Sequence, residues 1–276
     1  MSQPELHLSA IVVYPVKSLA GISVTAWPVE ATGLRYDRQW MLVDDQGQFL
    51  SQRHLPAMAL IKTALNGDRL HISADGHPDW VLPLSPASGD VIACRIWEDT
   101  CQGRLVSAAA DVWFSAVLQH SCRLVYLPDE QIRAVDPDYA AATDRTAFSD
   151  GFPFLLVAEN SLAELNALLP EPISMARFRP NLVVAGCPGY AEDKWRQIRI
   201  GTLGFRLPKP CSRCAIPTID PNTGQPGKEP LTTLNRTRKW QNKVYFGQNA
   251  LHDGLGVLQV GDKVEVLLAG EALPPV

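Results

Sequence analysis

The chain has 276 residues and a formal net charge of −4 at pH 7, with 46% apolar and 20% charged residues. That length buries one large core or two modest ones, and the near-average composition excludes an intrinsically disordered chain. The acidic balance gives no footprint for nucleic acid as a partner and leaves room only for a local basic pocket holding a small anion.

The first segment, MSQPELHLSAIVVYPVK, lacks the basic start, apolar run and small-residue cleavage site of a secretory leader. The longest apolar runs, FPFLLVA and VEVLLAG, fall far short of the ~20 residues that span a bilayer. The expectation is a soluble, cytoplasmic protein with no membrane partner. In a reducing compartment Cys94, Cys101, Cys122, Cys187, Cys211 and Cys214 are then thiols or metal ligands, not disulfides.

Most of the first 105 residues read as β-structure. Ile22, Val24 and Ala26 alternate with polar positions, the period of a half-buried strand. RQWMLVDDQGQFLSQ predicts a hairpin around Asp45-Gln46-Gly47, and ALIKTALNGDRLHIS a second around Asn66-Gly67. DVIACRIWED is a further strand. AADVWFSAVLQ predicts an amphipathic helix from about Ala109 to Gln119. NSLAELNALLP predicts another, with Ser161 and Glu164 as a capping box and Pro170 as its stop. Between them, PDEQIRAVDPDYAAATDRTAFSDG is polar and irregular, a candidate functional loop after a boundary near residue 120. RLVYL, PFLLVA, NLVVAG and WRQIRIG are strands, and GVLQVGDKVEVLL reads as two strands turning at Gly261-Asp262. The fold class is mainly β with a few short helices, in barrels or sandwiches.

The chemically loaded stretch is KPCSRCAIPTIDP, with Cys211 and Cys214 separated by two residues. A structural zinc needs four ligands, and no second close cysteine pair exists. A thioredoxin-type pair needs a helix after its first cysteine, and Pro217 and Pro221 interrupt that span. Spacing alone leaves open a loop pair without a role and a thiolate bound to a soft or redox-active metal. Lys209, Arg213 and Lys228 lie close in sequence and would favour a thiolate, or an anion beside it, if they were close in space.

KPCSRCAIPTIDPNTGQPGKEPLTTL is similar to the signature of MOSC domains. YPVKSLAG, LRYDRQWMLVD, FSDGFPFLL, RFRPNLVVAG, AEDKW, FGQN and VGDKVEVL follow in the order of the YcbX-type branch, which includes the mitochondrial amidoxime-reducing component. Nearly the whole chain takes part in the resemblance. It implies an N-terminal MOSC-associated β-rich domain over residues 1–120 and a C-terminal MOSC β-barrel over 121–270. It also implies a molybdenum–molybdopterin cofactor, with Cys214 as protein ligand to the metal and catalytic thiolate, and Cys211 close by as a non-ligand.

The terminal phosphate of molybdopterin needs cationic or N–H donors. The positions matching the family's anchors are Lys17, Ser18, Arg38, Arg179 and Asn181, with Ser149 and Asp150 contributing through the SDG turn. Each also has a plainer reading: Arg38 as partner of Asp37 or Asp44, Arg179 at a strand start, Asn181 bonded to local backbone, Lys17 as a solvated charge. His54 falls in a segment the family places near the site but reads equally as a surface loop; Trp195 reads as core.

The activity implied is reduction of N-hydroxylated small molecules: amidoximes, hydroxylamines and N-hydroxylated base analogues. A different class of function, a non-catalytic carrier of the cofactor or sulfur-delivery module, stays open beside it. No cysteine follows Cys214 and no G-x-G-x-x-G opens a βαβ unit. Electrons are therefore expected from a separate ferredoxin, flavodoxin-like or haem carrier with its reductase.

Overall fold

A computed structural model describes residues 5–85, 89–128 and 130–275. Residues 1–4 of the segment read for a leader, Asp129 of the polar stretch, and residues 86–88 and 276 lie outside the described residues.

The four residues Trp40–Val43 show how one strand serves two cores. Trp40 and Leu42 enter a cluster with Val16, Leu19, Phe114 and Tyr126, while Met41 and Val43 enter another with Phe49, Cys94, Val125 and Phe148. Successive side chains of a strand point to opposite faces, so a run buried on both sides is apolar throughout. This strand pairs with Arg123–Tyr126, which continues through Asp99–Leu105 to Val91–Ile96. A meander of Lys62–Asn66, Arg69–Ser73 and Trp80–Pro83 covers the first cluster together with the helix Ala108–Leu118. Ser107 caps that helix by accepting from the Ala110 N–H.

A third cluster lies inside a nine-stranded sheet, and a fourth packs Leu155, Val157 and Phe246 on its outer face against Leu165 and Leu234 of the helices Glu159–Asn166 and Leu231–Thr237. The strand order of the sheet runs Val264–Ala269, Trp195–Ile200, Leu203–Ser212, Lys243–His252, Phe154–Ala158, Leu182–Ala185, His7–Val13 and Ile22–Val24, with Lys239–Trp240 added beside Lys243–His252. His7 bridges Lys263, and Leu8 donates to the Asp262 carbonyl, which brings the two ends of the sheet together into a barrel. Gly247 sits at φ +76°, and a Cβ there would lie 2.7 Å from Val157, so only glycine lets the long strand cross this point. Among the described residues no helix is long and apolar enough to cross a membrane.

Two expectations change. Strands also cross the boundary near residue 120: His7–Val13 belongs to the C-terminal barrel and Arg123–Tyr126 to the N-terminal sheet. The reason is burial, since Leu8, Ile11 and Val13 fill the barrel core and Leu124 and Tyr126 the other. Gly256–Gln259 and Val264–Ala269 do not form a hairpin; the first pairs with Ala26–Glu30 and the second with Trp195–Ile200. Ser161 caps nothing, because the helix Glu159–Asn166 begins before it and its hydroxyl is bonded to the fully buried Glu192.

Candidate functional site

The exchange of segments lays the loop after His7–Val13, the turn before Trp40 and the strand starts of the barrel against one another. Between them lies a cleft of about 330 Å³. Lys17, Ser18, Arg38, Ser149, Asp150, Arg179, Asn181 and Cys214 all line it, so residues spread over the whole chain meet at one place. Cys211, Arg53, Trp97, Phe152, Arg213 and Asn249 line it as well.

Lys17 is nearly buried. Its ammonium lies 5.1 Å from the Phe49 ring centroid and donates to the Phe148 carbonyl at 2.8 Å and to Asp150 at 2.6 Å. Burial pulls the Lys17 pKa below the usual lysine value, with Asp150 opposing. Although 58% of the Asp150 side chain is exposed, crowding in the cleft desolvates its carboxyl and would raise it, but the ammonium beside it overrides this and holds it well below the usual range.

Arg38 is largely committed within the protein. It donates to Asp37 at 2.6 Å, to the Asn181 side-chain oxygen at 3.0 Å and to the Arg179 carbonyl at 3.3 Å. The plainer reading of Arg38 as partner of Asp37 thus holds, and the same guanidinium ties Asn181 and Arg179 together. Asn181 also donates to the Val12 carbonyl. The Arg38 and Arg179 guanidiniums lie 4.2 and 4.3 Å from the Tyr14 ring centroid. Arg179 reaches the Leu19 carbonyl with one nitrogen, and burial pushes its pKa down to about 10.

The polar stretch is ordered by a residue that sequence reading passed over. Buried Arg133 donates to the carbonyls of Ala147 and Ser149 and pairs with Asp99, fixing the turn that presents Ser149 and Asp150. Cys211 is the penultimate residue of the strand Leu203–Ser212, and Cys214 follows the strand before a short 3-10 turn, Ile216–Thr218. No helix follows, in keeping with the prolines. Arg213 donates to the Cys211 sulfur at 3.1 Å and to the Phe178 carbonyl at 2.8 Å.

Other expectations do not converge. Lys209 does not line the cleft; it sits 3.8 Å from the Tyr139 ring centroid and 5.3 Å from that of Phe152, near enough to Cys211 for the two to interact electrostatically. Lys228 and His54 are exposed and do not line the cleft. Trp195 is core.

The cleft presents five cationic side chains, Lys17, Arg38, Arg53, Arg179 and Arg213, against one carboxylate, Asp150. Among the described residues, three that line it carry a buried polar atom with no protein partner: Ser51 Oγ, Arg179 Nη2 and Arg213 Nε. Buried donors are rarely left unpaired, and the cationic lining suits an anionic ligand. Ser18, Arg38 and Arg179 each hold a positive φ, at 69°, 50° and 57°. Such strain in non-glycine residues concentrates where a ligand is gripped.

The fold is a β-barrel joined to a second β-rich body, with a cationic, thiol-bearing cleft between their strands. The MOSC N-terminal beta barrel domain profile matches residues 5–121 and the MOSC domain profile residues 143–265. Mitochondrial amidoxime-reducing component 1 of Mus musculus is 35% identical over 277 residues, covering 92% of this chain and 80% of that one. Its Homo sapiens counterpart is 35% identical over 274 residues, covering 92% and 81%. Molybdenum cofactor sulfurase of Oryza sativa subsp. japonica is 31% identical over 266 residues, covering 88% of this chain but 32% of that protein. The chain belongs to the MOSC family, in the branch that carries the N-terminal barrel and includes the amidoxime-reducing components.

Proposed function

We propose that this chain is a molybdenum-cofactor-dependent reductase of N-hydroxylated small molecules that takes electrons from a separate carrier protein. The observation that carries the reading is the meeting of Cys214 with Lys17, Arg179 and Asn181 in one cleft whose lining residues Arg179, Arg213 and Ser51 each carry an unpaired buried atom. Relatives named for amidoxime reduction over most of their length support it.

The residues present fit the cofactor. Cys214 would supply the thiolate for the metal. Arg179 and Arg213 would bring guanidinium donors to its phosphate, and Lys17 would add charge. Arg38 holds Arg179 and Asn181 in register. When bound, the cofactor supplies the two-electron chemistry that removes oxygen from an N–OH group. Asp150, kept ionised by Lys17, is an acceptor for substrate N–H or O–H groups, and the Lys17 ammonium is the adjacent proton-bearing donor.

A carrier or sulfur-delivery role is the second reading, favoured by the similarity to the rice sulfurase over 88% of this chain. The two separate in one assay. Molybdenum-loaded protein should reduce benzamidoxime with an artificial electron donor; a carrier would hold the metal and leave the substrate unchanged.

A further inference from the structure

Ile96 and Asp99 face each other across the hairpin of Val91–Ile96 and Asp99–Leu105, which leaves a two-residue loop, Trp97-Glu98. Trp97 stands in that loop at φ +55°. Glycine, asparagine or aspartate normally takes such a position, and a bulky side chain there is an outlier. The indole is not there to fill a core, since it is 44% exposed and lines the cleft. It is nevertheless held from several sides. The Phe49 ring meets it edge-on at 5.0 Å, the Arg53 guanidinium lies 4.2 Å from its centroid, and Asp150 lines the same cleft beside it. Asp150 is in turn bound to Lys17. A strained, exposed aromatic ring fixed at the opening of a ligand cleft is a preformed stacking surface, with its orientation set before a ligand arrives.

Resting on the reductase reading above, we propose that Trp97 is a specificity-determining residue that favours N-hydroxylated substrates with a planar π-system, aromatic amidoximes and N-hydroxylated bases, over aliphatic ones. The cleft opening offers such a group further aromatic surface at Phe152, whose ring packs 6.3 Å from Tyr139. Stacking of a flat ring on indole is tolerant of ring identity, so breadth among aromatic substrates follows from the same contact.

The test is calorimetric binding of benzamidoxime and acetamidoxime to the molybdenum-loaded wild type, Trp97→Phe and Trp97→Ala, with turnover of both measured alongside. The Trp97→Ala variant should bind benzamidoxime about tenfold more weakly while its affinity for acetamidoxime changes less than about twofold. Trp97→Phe keeps a ring and should keep most of the preference. Equal weakening of both ligands would mean that Trp97 acts only by shaping the cleft, and would overturn the proposal. So would an unchanged preference in Trp97→Ala, or a wild type that binds neither ligand. Binding with the expected preference but no reduction of either ligand would sink the reductase reading and leave the stacking role standing.

Discussion

The Lys17 ammonium and the Asp150 carboxylate lie 2.6 Å apart, joining positions 133 residues apart in sequence across the cleft floor. Lys17 is held by the N-terminal sheet through its backbone N–H to the Trp40 carbonyl. Asp150 is held by the turn that Arg133 fixes. The pair therefore locks together the two halves of the site.

Lys17→Met should lower cofactor retention by about ten- to a hundredfold, the worth of ~1.5–3 kcal/mol for a hydrogen bond to a charged group. Asp150 is exposed enough to be solvated once its partner is gone, so thermal unfolding should shift little. Equilibrium dialysis against released cofactor checks the first outcome and calorimetry the second.

Arg38 has a different weight. Asp37 is 3% exposed and has Arg38 as its ion-pair partner, while burial already pushes its carboxyl above the usual range. Arg38→Met strands that carboxylate and should cost about 3–5 kcal/mol of stability in urea unfolding. The double variant Arg38→Met, Asp37→Asn should recover part of the loss.

Glu192 gives a pH signature. It is fully buried, accepts from the Ala158 N–H and Ser161, lies beside Asp193, and burial pushes its pKa from 4.5 to about 7. The folded chain therefore binds more protons than the unfolded chain between about pH 4.5 and 7. Stability from this group is full below that window and is lost as pH rises through it, by ~3 kcal/mol. The difference in unfolding free energy between wild type and Glu192→Gln, measured from pH 4 to 8, should carry that slope; a flat difference would contradict it.

Electron supply is testable directly. Among the described residues no cysteine cluster able to hold an iron–sulfur centre exists, and Cys94 and Cys101 merely face each other across a hairpin. We expect no steady NADPH oxidation by this chain with benzamidoxime alone, and turnover once a reductase and its small carrier are added.

Much of the strand content was legible because alternation survives in sequence: Asn66-Gly67 and Asp45-Gln46-Gly47 mark turns whose glycines take positive φ. The order of strands was not, because Ala26–Glu30 and Gly256–Gln259 find each other through shared burial that no local pattern encodes. The site residues were reached through motifs, and their roles were only partly visible. Arg38 reads as an anchor, and in the cleft it also braces Asp37, Asn181 and Arg179. Arg133 and Trp97 gave no signal, since a buried arginine in a polar stretch and a tryptophan at positive φ are features of tertiary structure. Arg53 was adjacent to the histidine that drew attention, and it is the arginine that lines the cleft.

The most direct measurement is the metal content of protein made in a host competent for molybdenum cofactor, for the wild type, Cys214→Ala and Cys211→Ala. The account predicts about one molybdenum per wild-type chain, a large loss in Cys214→Ala, and near-normal content in Cys211→Ala. A wild type free of molybdenum under those conditions, or metal lost with Cys211 and kept without Cys214, would contradict it.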